Sequence, residues 1–177
     1  MIRFKAEAYP INTWLVLRLP DDASKQLPSR GQVMVKGMIN DVVFQTALEP
    51  DGNGGHWLNI DKAMQKSANI VSGKPVTLAI ESTKDWPEPN IPKDLQSTLD
   101  ANPDVYELWM DTTPMARWEW IRWIQSTNSP ATRQKRIMVS CDKMRKGWRR
   151  PCCFNRNMCC VPEVSKSGVL LEPVAVS

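Results

Sequence analysis

Along the first 82 residues the apolar positions fall in short alternating runs. "RFKAEAY" (Arg3 to Tyr9), "TWLVLRL" (Thr13 to Leu19), "QVMVKGMI" (Gln32 to Ile39), "VVFQTAL" (Val42 to Leu48), "HWLNI" (His56 to Ile60) and "PVTLAIES" (Pro75 to Ser82) are rich in β-branched or aromatic residues. Bounded by turn residues, such runs predict half-buried strands. Asn40-Asp41 joins the third and fourth runs in two residues, which predicts a tight hairpin, and "EPDGNGG" (Glu49 to Gly55) makes a wider turn. One short helix is expected in "DKAMQKSANI", with Ala63, Met64 and Ala68 apolar. Six short strands protect their edges by closing, so the reading is a small closed or nearly closed barrel.

The pattern changes at "TKDWPEPNIP" (Thr83 to Pro92), where three prolines in six residues exclude both ladder and helix. Beyond it, Asn90 with Pro92, Asn102-Pro103, Thr113-Pro114 and Ser129-Pro130 place capping residues beside prolines suited to a first helical turn. Helices are predicted over roughly 92–100, 103–110, 114–126 and 130–146, the last ended by Gly147. The expected fold is α+β. A small N-terminal β-barrel of about six strands (1–82) leads through a Pro-rich linker (83–91) to a C-terminal helical bundle (92–147) and an irregular Cys/Arg-rich loop and tail (148–177).

In the third predicted helix Trp120, Ile121 and Ile124 share an apolar face, with Trp123 at its margin and Trp118 on or near the other side. These rings either glue the helices together or line a groove at the barrel–helix junction, where domain junctions tend to hold ligands. In the fourth, Ile137, Met138, Cys141 and Met144 form the apolar set, so Cys141 reads as a small buried hydrophobe.

Composition sharpens this picture. The chain has 177 residues, 42% hydrophobic and 24% charged, enough for one compact domain or two small ones. Eight tryptophans against two tyrosines and three phenylalanines need a core, a pocket or an interface. No apolar run approaches the roughly 18 residues of a membrane span, and charges interrupt the start where a signal peptide needs its apolar centre, so a cytoplasmic location is expected. In a reducing compartment the five cysteines are expected as thiols or ligands, not as a disulfide framework. The net charge of +4 is uneven: Arg133 to Arg156 holds nine Lys or Arg against one acid, Asp142. Such a block attracts phosphate or an anionic ligand, or is a solvated helix face.

Chemistry is harder to place. His56 is the single histidine, and no nucleophile elbow, P-loop or dinucleotide fingerprint is present. With the carboxylates scattered as well, no enzyme and no cofactor is expected. In "WRRPCCFNRNMCCVP", Cys152, Cys153, Cys159 and Cys160 are weak candidates for a metal, because adjacent cysteines present both sulfurs to one ion poorly. Lys146, Arg149, Arg150 and Arg156 nearby would instead favour thiolate and raise reactivity, unless the sulfurs simply pack.

"VKGMINDVVFQTAL", "GGHWLNID", the run "IPKDLQSTLDANPDVYELWMDTTPMARWEWIRWIQSTNSPATRQKRI" and "RRPCCFNRNMCCVPEVSKSGVL" together resemble the YdeI/OmpD-associated, or bacteriocin-protection, family. The N-terminal part is similar to the small barrel domain of unknown function often fused to that helical module. The resemblance implies a barrel followed by helices and, by the family's name, protection against antimicrobial peptides or related toxins. The expected function is therefore a binding or sequestration protein holding a small peptide or aromatic antibiotic at the barrel–helix junction. Its candidate ligand-binding residues are Trp86, Trp109, Trp118, Trp120, Trp123, Arg149, Arg150 and Arg156. A nucleic-acid-binding regulator using the basic fourth helix, and a thiol or metal sensor using the tail cysteines, are the alternatives.

Overall fold

The structure, a computed structural model, describes residues 1–151 and 169–172. These form two compact units, one of residues 1–85 with 169–172 and the other of residues 86–151.

The first unit is a closed antiparallel barrel. Its strands are β1 (Ile2–Ile11), β2 (Trp14–Arg18), β3 (Val33–Ile39), β4 (Val42–Pro50), β5 (His56–Asn59) and β6 (Pro75–Ser82), in the spatial order β1-β2-β5-β4-β3-β6. Pairing of Ile2 with Ile80 through Glu7 with Pro75 joins the last strand to the first and removes both edges. The predicted hairpin forms at Ile39 and Val42, and Asn40 and Asp41 take φ of 44° and 65°, as a two-residue turn matching the strand twist requires. Inward-facing Leu17, Val35, Ile39, Leu48, Leu58, Leu78 and Ile80 fill the interior, so the barrel is a packed core.

At Gly37 the β6 backbone comes so close that a Cβ would lie 1.9 Å from the Ala79 carbonyl oxygen. Gly37 is in register with both Phe44 and Ile80, so a side chain there would separate β3 from β6. Helix α2 (Lys62–Ser67) lies in the predicted segment, its N-cap Asp61 accepting from the Met64 amide. Helix α1 (Asp21–Lys25) was not foreseen; five residues are too few to show a helical period.

The second unit comprises α3 (Lys93–Ala101), α4 (Pro103–Asp111), α5 (Pro114–Gln125) and α6 (Pro130–Arg145). Thr113 and Ser129 cap α5 and α6 as their sequence positions predict, each with proline next. The other two expected caps differ. Pro92 occupies the cap position of α3 without a side-chain bond, and the Asn102 amide turns back to the Thr98 carbonyl oxygen at 2.8 Å instead of capping α4. Gly147, at φ 91°, ends α6 as predicted: its amide donates to the Met144 carbonyl and that of Trp148 to the Lys143 carbonyl, both at 3.0 Å. The core gathers Leu95, Leu99, Val105, Trp109, Trp120, Ile124, Ile137, Cys141 and Met144. No helix among the described residues is long and apolar enough to cross a membrane.

Candidate functional site

The centre of the helical unit is α5, which buries charge as well as hydrocarbon: Arg117, Glu119 and Arg122 lie at 4%, 5% and 8% exposure beside Trp120 and Ile124. Burying an ionised group is costly unless it is paired. Arg117 spends its donors on the C-terminal end of α4, with one nitrogen 3.2 Å from the Trp109 carbonyl and in contact with that of Thr112. The Trp109 carbonyl also accepts from the Thr112 amide and hydroxyl, and a cation at this end of α4 suits the helix dipole. The rest of its guanidinium grips Glu88 in the Pro-rich segment, with Nε 3.1 Å from Oε2. Trp118 completes that attachment: its indole donates to the Pro87 carbonyl at 2.7 Å and its ring meets Trp86 edge-on at 5.9 Å.

The residues after α6 return to this hub. Arg150 forks onto Glu119, its Nε 2.5 Å from Oε2, and this hydrogen bond raises the Arg150 pKa further. Arg149 reaches Asp111 at 2.7 Å, while its own carbonyl oxygen accepts from the Trp120 indole at 3.0 Å. Lys143 sits over the Trp148 ring at 4.8 Å. Residues 146–151 thereby line a shallow pocket of about 440 Å³.

Two of the candidate ligand residues need correction. Trp109 and Trp120 are both 0% exposed, so their rings are core and present no surface to a ligand. Trp123 is half-buried, meeting Trp120 edge-on at 6.2 Å and carrying the Arg136 guanidinium at 5.3 Å. Trp86 and Trp118 form a separate pair, and Arg149 and Arg150 already hold acids of their own unit. Arg156 and the candidate metal or thiol residues Cys152, Cys153, Cys159 and Cys160 lie outside the described residues. Among the described residues no cluster suited to a metal ion occurs.

The basic face of α6 is similarly engaged. Arg133 pairs with Asp94 of α3, Arg145 with Asp104 of α4, and Arg136 donates to the Trp123 carbonyl and the Ser126 hydroxyl. Hydrogen bonding to these arginines holds the Asp94 and Asp104 carboxyls below the usual range. Charge counting along the sequence registers the cations but not the acids that the fold brings from 39 and 41 residues away.

His56, in the barrel, is fully buried. Its Nε2 lies 3.0 Å from the Gly31 carbonyl oxygen, which can only accept, so Nε2 carries the proton; Nδ1 lies 3.3 Å from the Ser24 hydroxyl, which also accepts from the His56 amide at 3.1 Å. Burial pushes its pKa down, keeping the ring neutral. These bonds fasten α1 and the segment after it to the start of β5.

What the helical unit does present outward is flexible apolar surface, missed by a reading that followed the tryptophans. Tyr106 and Met110, one turn apart on α4, are 40% and 50% exposed; Met115 and Met138 are 40% and 48% exposed. Methionine adapts its shape to varied apolar partners, and such side chains serve promiscuous binding faces.

Residues 88–147 match the family described as Bacteriocin-protection, YdeI or OmpD-Associated, and residues 4–80 match the domain of unknown function DUF1905. A curated protein, acyl-coenzyme A oxidase of Kluyveromyces lactis, is 30% identical over 105 residues, covering 55% of this chain. The chain spans only 14% of that protein's length.

Proposed function

We propose that this chain, whose residues 88–147 match the bacteriocin-protection, YdeI or OmpD-associated family and whose residues 4–80 match DUF1905, protects by binding an antimicrobial peptide without chemical change. The observation that carries this reading is the set of outward methionines and Tyr106 on the family-matched unit. An amphipathic peptide laid on this surface would bury its apolar side chains against Tyr106 and Met110, while exposed Glu107 beside them suits a cationic partner. The arginine pairs make the helices beneath a fixed platform, so little ordering cost falls on the protein.

Titration of the full chain with a peptide toxin against which its expression protects cells tests this. The expected result is binding that Tyr106→Glu with Met110→Glu weakens by about ten-fold or more, roughly 1.4 kcal/mol, with the peptide recovered at its original mass. Cleavage or modification of the peptide, or protection without binding, would defeat the proposal. Nucleic-acid binding is the weaker reading, because Arg133, Arg145, Arg149 and Arg150 are neutralised within the unit. A steep fall of affinity for duplex or single strands with salt would restore it.

A further inference from the structure

The barrel holds a short extended segment of the chain's own far end. Leu170 is 2% exposed, and both of its backbone groups are bonded: its amide donates to the Asp51 carbonyl at 3.2 Å, and its carbonyl accepts from an Arg18 NH2 nitrogen at 2.9 Å. Two residues on, the Glu172 carboxylate lies 2.8 Å from the other terminal nitrogen of Arg18. One guanidinium thus reads a backbone carbonyl and a side-chain charge together, while the turn between β4 and β5 reads the amide.

Backbone pairing, one enclosed apolar side chain and one charge at fixed spacing are the parts of strand-addition peptide recognition. Arg18 is held against the barrel, its Nε buried and its guanidinium close to the Tyr9 hydroxyl. Residues 152–168 join this segment covalently to the helical unit, so the occupant is tethered.

We infer that the barrel carries a peptide-docking site, built on Arg18 and the Asp51 carbonyl, for an extended segment bearing an apolar residue and, two positions later, a carboxylate. This chain fills it with Leu170-Leu171-Glu172. An external peptide of the same pattern competes with the tail, which acts as a tethered internal ligand. The site is in the other unit from the surface assigned to toxin binding and stands independently of that assignment.

A fluorophore-labelled peptide of residues 167–174, SGVLLEPV, is the probe. The full chain carrying Leu170→Asp with Glu172→Lys has a vacant site and is expected to bind this peptide at least about ten-fold more tightly than the unaltered chain, whose own tail reduces the competent fraction. Leu170→Asp within the peptide is expected to weaken binding to the vacant chain by a similar factor. Equal binding by the two chains, or none to a vacant chain that still melts cooperatively, would overturn the inference. The unaltered chain supplies a second measurement needing no substitution: exchange of the Leu170 amide should be slow and should accelerate several-fold when unlabelled peptide is added at millimolar concentration. Exchange that is fast at the outset, or that does not respond to peptide, would equally overturn it.

Discussion

The indole nitrogen of Trp120, on a ring with no exposed surface, donates to the carbonyl oxygen of Arg149 at 3.0 Å. Two residues that look like ligand contacts in the sequence are contacts to each other. This bond, with Arg150 forked onto Glu119, ties the end of the helical unit to its central helix.

The Arg150 and Glu119 pair is expected to be coupled. Arg150→Ala leaves a carboxylate of 5% exposure without its partner and should cost about 1–3 kcal/mol of unfolding free energy. Adding Glu119→Gln should recover part of that loss, giving a coupling of about 1 kcal/mol or more in a double-mutant cycle by urea titration. Trp120→Phe should cost a similar amount. Strict additivity would show that the pair contributes nothing.

Closure of the barrel depends on Gly37. Gly37→Ala sets a Cβ 1.9 Å from the Ala79 carbonyl oxygen in backbone that belongs to a closed ladder, and should destabilise the barrel by about 3 kcal/mol or more. Gly54→Ala meets no atom within 4 Å and should cost about 1–2 kcal/mol, through its φ of +88° alone. Thermal unfolding of the two variants side by side checks the ordering.

Acid should act on the barrel first. The folded state lowers the His56 pKa below the unfolded value of about 6.5, so the unfolded chain binds more protons there and stability rises with pH across that window. Stability should therefore decline as pH falls from about 6.5 towards the folded pKa, and His56→Gln should flatten the slope. Asp94 and Asp104 act lower. Their folded pKa values are depressed, so their contribution is present above the unfolded value of about 3.9 and is lost as pH falls through the folded ones. Urea midpoints between pH 7.5 and 5 report the His56 effect alone, and those taken below about pH 4 report the two aspartates.

Cys141 should resist alkylation. Its sulfur is in the helical core at 1% exposure, and burial raises the thiol pKa. Peptide mapping after iodoacetamide should find Cys141 unmodified in the native chain and modified in urea.

Local chemistry made much of this architecture legible in the chain itself. Short runs rich in β-branched and aromatic residues between turn residues marked all six strands, Asn40-Asp41 a two-residue hairpin, and Thr113-Pro114, Ser129-Pro130 and Gly147 the ends of α5 and α6, because these signals act over a few residues. The charges and rings were another matter. Whether Arg149 and Arg150 face a ligand or Asp111 and Glu119, whether Trp109 lines a groove or a core, and that Leu170 returns to Arg18 are decided by groups 31 to 152 residues apart. Such pairings have no local signature; only the folded backbone brings the partner, and a buried charge remains where it is only if that partner arrives.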